Sequence, residues 1–98
     1  MGQFTNSRAK AGKQLLVLSI PNLIVTASTT PVKVGTGNLC RINGTAGGFV
    51  RFAKAGDSTA PSSSTPETLQ TEEGFFYVIS TEDFIIASAS MRCEVTVD

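Results

Sequence analysis

The chain has 98 residues, with eight cations, eight acids, no histidine and no tryptophan, so its formal charge is zero. That length allows one small domain, which hides roughly 64% of the surface its unfolded form exposes. Without an imidazole there is no histidine-based triad, no histidine general base and no histidine metal ligand. A net charge of zero also argues against a dedicated nucleic-acid binder, whose affinity comes from neutralised phosphates.

Taken in chain order, residues 1–14 carry three cations, Arg8, Lys10 and Lys13, and one aromatic, Phe4, with little other apolar mass. They read as an extended basic N-terminal arm ahead of a single domain over 15–98. Leu15–Ile20 is continuously apolar and strand-like, but Pro21-Asn22 follows it. The run is far too short to cross a membrane and leads to no convincing A-x-A cleavage site. The expected location is therefore a cytoplasm, or a particle assembled there.

Further strands are expected at Leu23–Ser28, Val32–Val34, Leu39–Asn43, Phe49–Ala53, Phe75–Ser80, Phe84–Ala89 and Arg92–Asp98. Period-two alternation dominates them, as where Cys93, Val95 and Val97 oppose Arg92, Glu94 and Thr96. Pro66–Glu73 is read as one short helical turn or a further strand. Seven or eight short strands at this spacing mean an all-β sandwich or barrel. Asn43-Gly44 is a strong tight-turn signal, so Leu39–Asn43 and Phe49–Ala53 are expected to form a hairpin. The Ser/Thr/Ala/Pro-rich stretch Lys54–Pro66 is expected to stay out of the core, exposed or lying on a partner.

Charge is polarised along the chain. Residues 1–54 hold seven cations and no acid, and residues 55–98 hold eight acids against Arg92. Either strands from the two halves interleave and the charges mix, or each half attracts the opposite half of a neighbouring copy. Cys40 and Cys93, 53 positions apart and without C-x-x-C spacing, are expected as buried free thiols; a disulfide needs their strands to be neighbours.

No catalytic set emerges. The serines have no histidine to activate them. The acid pairs Glu72-Glu73 and Glu82-Asp83 diverge if they lie on a strand, because adjacent side chains point to opposite faces. Gly35-Thr36-Gly37 and Gly44…Gly47-Gly48 precede no helix that would hold a phosphate, so they read as turns. Asn43-Gly44-Thr45 fits the glycosylation pattern but is also read as a turn. Phe49 stands on the arginine face of its strand, as an exposed partner patch or as the far side of a two-sided sheet. No enzyme activity, cofactor, metal or small-molecule substrate is expected.

From Asn38 onward the chain resembles small virion proteins of tailed bacteriophages. The resemblance rests on Leu39-Cys40-Arg41-Ile42-Asn43, Gly48-Phe49-Val50-Arg51-Phe52-Ala53, Gly56-Asp57-Ser58, Glu73-Gly74-Phe75-Phe76-Tyr77-Val78, Asp83-Phe84-Ile85-Ile86-Ala87 and Glu94-Val95-Thr96-Val97. It covers about 60 residues and is a texture of strands; no single motif carries it. The resemblance implies a small antiparallel, jelly-roll-like β-sandwich that decorates or cements a capsid. It implies the major capsid protein and neighbouring copies, as dimer or trimer, for partners. It implies no nucleic acid or membrane contact, and a place on the capsid surface. The expected partner-binding residues are Phe4, Arg8, Lys10, Lys13 and Phe49. A head–tail or tail component, or a receptor- or carbohydrate-binding β module, is the alternative.

Overall fold

The computed structural model describes residues 23–97. The arm over 1–14, with Phe4, Arg8, Lys10 and Lys13, and the strand expected at Leu15–Ile20 lie outside them. Eight strands follow: β1 (Leu23–Ala27), β2 (Val32–Lys33), β3 (Leu39–Gly44), β4 (Phe49–Ala53), β5 (Leu69–Gln70), β6 (Gly74–Ile79), β7 (Phe84–Ala87) and β8 (Met91–Thr96). The described residues contain no helix, and the segment over 66–73 supplies the short strand β5. The strands form two four-stranded sheets, ordered β1-β8-β3-β6 and β2-β7-β4-β5. Every pairing is antiparallel.

The two sheets share one core, and the sequence alternation decides which residues enter it. Cys40, Ile42, Cys93 and Val95 from the first sheet join Val50, Phe52, Ile85 and Ala87 from the second. Ile42 and Ile85 are fully buried, each worth roughly 1.5–3 kcal/mol relative to an exposed side chain. Cys40 pairs with Val95 and Cys93 with Ile42, so the two thiols are diagonal neighbours on paired strands. Both are buried and free. The hydrogen bond it shares with Cys40, and then burial, hold the Cys93 thiol well above the ordinary thiol range.

The hairpin expected at Asn43-Gly44 does not form. Gly44 is still inside β3, paired with Gly74 of β6. The turn comes later, where the Gly48 N–H donates to Thr45 O at 3.0 Å and Gly47 takes φ +75°. It carries the chain across to the other sheet, so β3 and β4 are not partners. Close approach explains the glycines here. A Cβ on Gly44 would lie 2.5 Å from the Glu72 carbonyl oxygen, and one on Gly48 would lie 2.6 Å from Met91 Cε. Gly44 thus serves a close approach at the end of β3, and the turn itself falls at Thr45–Gly48.

Two buried hydroxyls tie the crossings at either end of β3. At its end, the Thr71 N–H donates to Gly48 O at 2.8 Å and its Oγ1 to Thr45 O at 2.5 Å. At its start, Ser80 Oγ donates to Gly35 O and accepts from the Asn38 N–H at 3.0 Å. The Ser80 backbone completes the knot, with its N–H on Asn38 O at 2.9 Å and its carbonyl accepting from Gly37 N–H at 2.8 Å. Buried polar groups persist where they are fully bonded, and here they fix the path between sheets.

Candidate interaction surface

The outer faces of the two sheets differ. On the second sheet, Arg51 of β4 stands opposite Ile86 of β7, away from the shared core. Arg51 holds the segment that follows its strand. Its Nη2 lies 3.1 Å from Asp57 Oδ2, and its Nη1 donates to Thr59 O at 3.1 Å. The Thr59 N–H returns to Asp57 Oδ1 at 2.9 Å. The Arg51 guanidinium, then the Thr59 backbone, lower the Asp57 carboxyl to about 2. Pro61 and Ile86 are buried. The stretch over 54–66 stays mostly exposed, as expected, but it is held to its own chain: Pro61 is buried and Arg51 bonds Asp57 and Thr59.

Phe49 is half-buried on this same side. It borders a cleft of about 210 Å³ with Ser62, Ser63, Thr65, Thr68 and Gln70. Of the five residues expected to bind a partner, Phe49 is the one within the described region, and the chain's own loop shelters it in part.

The first sheet carries a different surface. On its outer face Phe75 and Tyr77 of β6 stand opposite Asn43 and Arg41 of β3. Phe75 is 50% exposed and Tyr77 47%. The Arg41 guanidinium carbon lies 3.6 Å from the Phe75 ring centroid, a cation–π contact. Arg41 Nη1 and Arg92 Nε each donate to Glu94 at 2.9 Å. Arg92 and then Arg41 hold the Glu94 carboxyl below its ordinary range, and Glu94 raises Arg41 in turn. Arg41 and Glu94 come from opposite halves of the charge pattern, so here the charges mix within one fold. The alternation of Arg92–Asp98 already put Arg92 and Glu94 outside. The missed feature is the aromatic pair beside them, because Phe75-Phe76-Tyr77 read only as a generally apolar run.

Among the described residues the β6 edge of this sheet is also open. β6 pairs with β3 on one side, and among the described residues nothing pairs with the other. Its sequence, Gly-Phe-Phe-Tyr-Val-Ile, has no charge and no proline. A cleft of about 330 Å³ opens beside it, lined by residues 69–76, with Leu69 exposed. Clusters of three or more potential metal-binding side chains are absent among the described residues. This region offers apolar surface, stacking faces, guanidinium groups, the Glu72 and Glu73 carboxylates at the cleft and a strand edge that no described residue pairs. No family model, curated protein or solved structure matches the chain.

Proposed function

We propose that this is a virion structural protein, a jelly-roll-like β-sandwich that decorates or cements the coat shell of a tailed bacteriophage. The observation that carries the reading is the strand order. Two four-stranded sheets ordered β1-β8-β3-β6 and β2-β7-β4-β5 support it, because an eight-stranded jelly roll, an architecture used by capsid and lectin domains, has two such layers. Fold alone does not give function; the resemblance from Asn38 onward and the half-exposed Phe75 and Tyr77 beside a strand edge that no described residue pairs support the structural role. In this reading the body meets neighbouring subunits. The basic segment with Phe4, Arg8, Lys10 and Lys13 reaches acidic coat surface, and many weak contacts add through multivalency. The test is to add the purified chain to heads assembled without it. Co-sedimentation and greater resistance of the heads to heat are expected; neither binding nor protection overturns the reading. Deleting residues 1–13 should weaken attachment and leave the melting temperature of the free body unchanged.

The half-exposed Phe75 and Tyr77 beside Arg41 favour a second reading, a carbohydrate-binding module. Saturable binding of an oligosaccharide, lost in Tyr77→Ala with no change in head attachment, would replace the first.

A further inference from the structure

We infer that the open edge of β6 is a self-association surface, where the β6 strands of two copies pair antiparallel about a two-fold axis through Tyr77. The proposal rests on the structural-protein reading only for its purpose; its geometry stands on the strand itself.

The direction of the backbone groups follows from the pairing with β3. The Ser80 N–H donates to Asn38 O, continuing the register that sets Val78 against Cys40 and Phe76 against Ile42. Groups on one strand alternate sides. The amides and carbonyls of Gly74, Phe76 and Val78 therefore face β3, and those of Phe75, Tyr77 and Ile79 face the open side.

Those three residues match themselves under a two-fold axis. Setting Tyr77 opposite Tyr77 of a second copy sets Phe75 opposite Ile79. These are three closely bonded pairs, each exchanging two backbone hydrogen bonds. The register keeps every side chain on its own face. Phe75, Tyr77 and Ile79 stay outside, while Phe76 and Val78, which pack on the core, face each other inside. Aromatic groups then stand opposite an aromatic or a β-branched partner, which are favourable cross-strand pairs. A slip by one residue would put Tyr77 against the inward side of its neighbour. β6 also lacks the devices that keep an edge single. It has six residues, no lysine and no proline, whereas β2 and β5, which bound the other sheet, have two residues each. A second copy is the occupant this symmetry selects.

The test is the solution mass of the full chain across concentration, with Tyr77→Lys as the variant. The wild type should reach twice 10.3 kDa. Like charges facing each other at the axis should raise the concentration for dimerisation by roughly tenfold or more, with an unchanged circular dichroism spectrum. As a second variant, Tyr77→Cys should give a disulfide-linked dimer on mild oxidation, and Val78→Cys, facing inward, should not; Cys40 and Cys93 are buried. A wild type that stays monomeric, as it would if a foreign peptide were the occupant, overturns the proposal. So does a dimer that Tyr77→Lys leaves intact. Head attachment is read separately: its loss beside an intact, Tyr77-dependent dimer supports this edge and counts only against the capsid reading.

Discussion

The two sheets share a core and differ in how they end. The second is bounded by the two-residue strands β2 and β5, and a segment anchored by Arg51 docks on its outer side. The first is bounded on one side by the six-residue, uncharged β6, and its outer face shows half-exposed Phe75 and Tyr77. Exposed edges are normally shortened, charged or covered because their unpaired backbone recruits other chains. One sheet follows that rule and the other does not. Among the described residues the exception is the β6 edge, the surface that the proposed self-association would use.

The largest effect tests what the sheets have in common. Ile85→Ala, at a fully buried site in the shared core, should cost about 2–5 kcal/mol in denaturant unfolding. Because the core draws on both sheets, circular dichroism and aromatic fluorescence should still lose signal together. Separate transitions would mean the sheets are independent. Next, Ser80→Ala removes the hydroxyl that joins Gly35 and Asn38 and should cost about 1–3 kcal/mol. A neutral result would show that this crossing does not depend on the knot.

Proline separates the two sides of β6 more finely. At Val78 it deletes an amide facing β3 and leaves a paired carbonyl without its donor, a loss of about 1–3 kcal/mol. At Tyr77 the deleted amide faces the open side, so the free chain should be destabilised clearly less. Equal losses would contradict the assigned directions.

The smallest effect concerns the covered sheet. Asp57 has its carboxyl lowered to about 2 from 3.8. Its ion pair with Arg51 therefore contributes above the unfolded value and fades as pH falls through the folded one. Proteolysis within residues 54–66 should accelerate between about pH 4 and pH 2 while the sheets persist. Asp57→Asn should show the faster cleavage already at neutral pH. A cleavage rate unchanged by either would show that Arg51 does not hold the segment.

Much of the fold was legible in the residues. Seven strands fall at the runs expected between Leu23 and Asp98, β5 falls in the stretch that admits a helical turn or a strand, and Cys40, Ile42, Cys93 and Val95 point inward as period two requires. Parity is local and survives any arrangement of strands. Partnership is not local. Asn43-Gly44 carries the same signal whether the chain folds back beside itself or crosses to another sheet, and the deciding contacts come from Thr71 and Glu72, far along the chain. The docking of the 54–66 segment was hidden likewise, because its anchor Arg51 looks like any outward strand residue until Asp57 and Thr59 come round to it. Phe75-Phe76-Tyr77 announced apolar mass but not which rings stay outside; the register against Arg41 and Ile42 decides that.

The central claim is that the odd residues of β6 offer bonds that no described residue of the free chain takes up. Amide hydrogen exchange, read residue by residue, tests it most directly. In dilute protein, Phe76 and Val78 should be protected while Phe75, Tyr77 and Ile79 exchange fast, and at high concentration the second set should become protected as well. If all five amides were protected alike in the dilute chain, or if the odd set stayed fast at every concentration, the account would be contradicted.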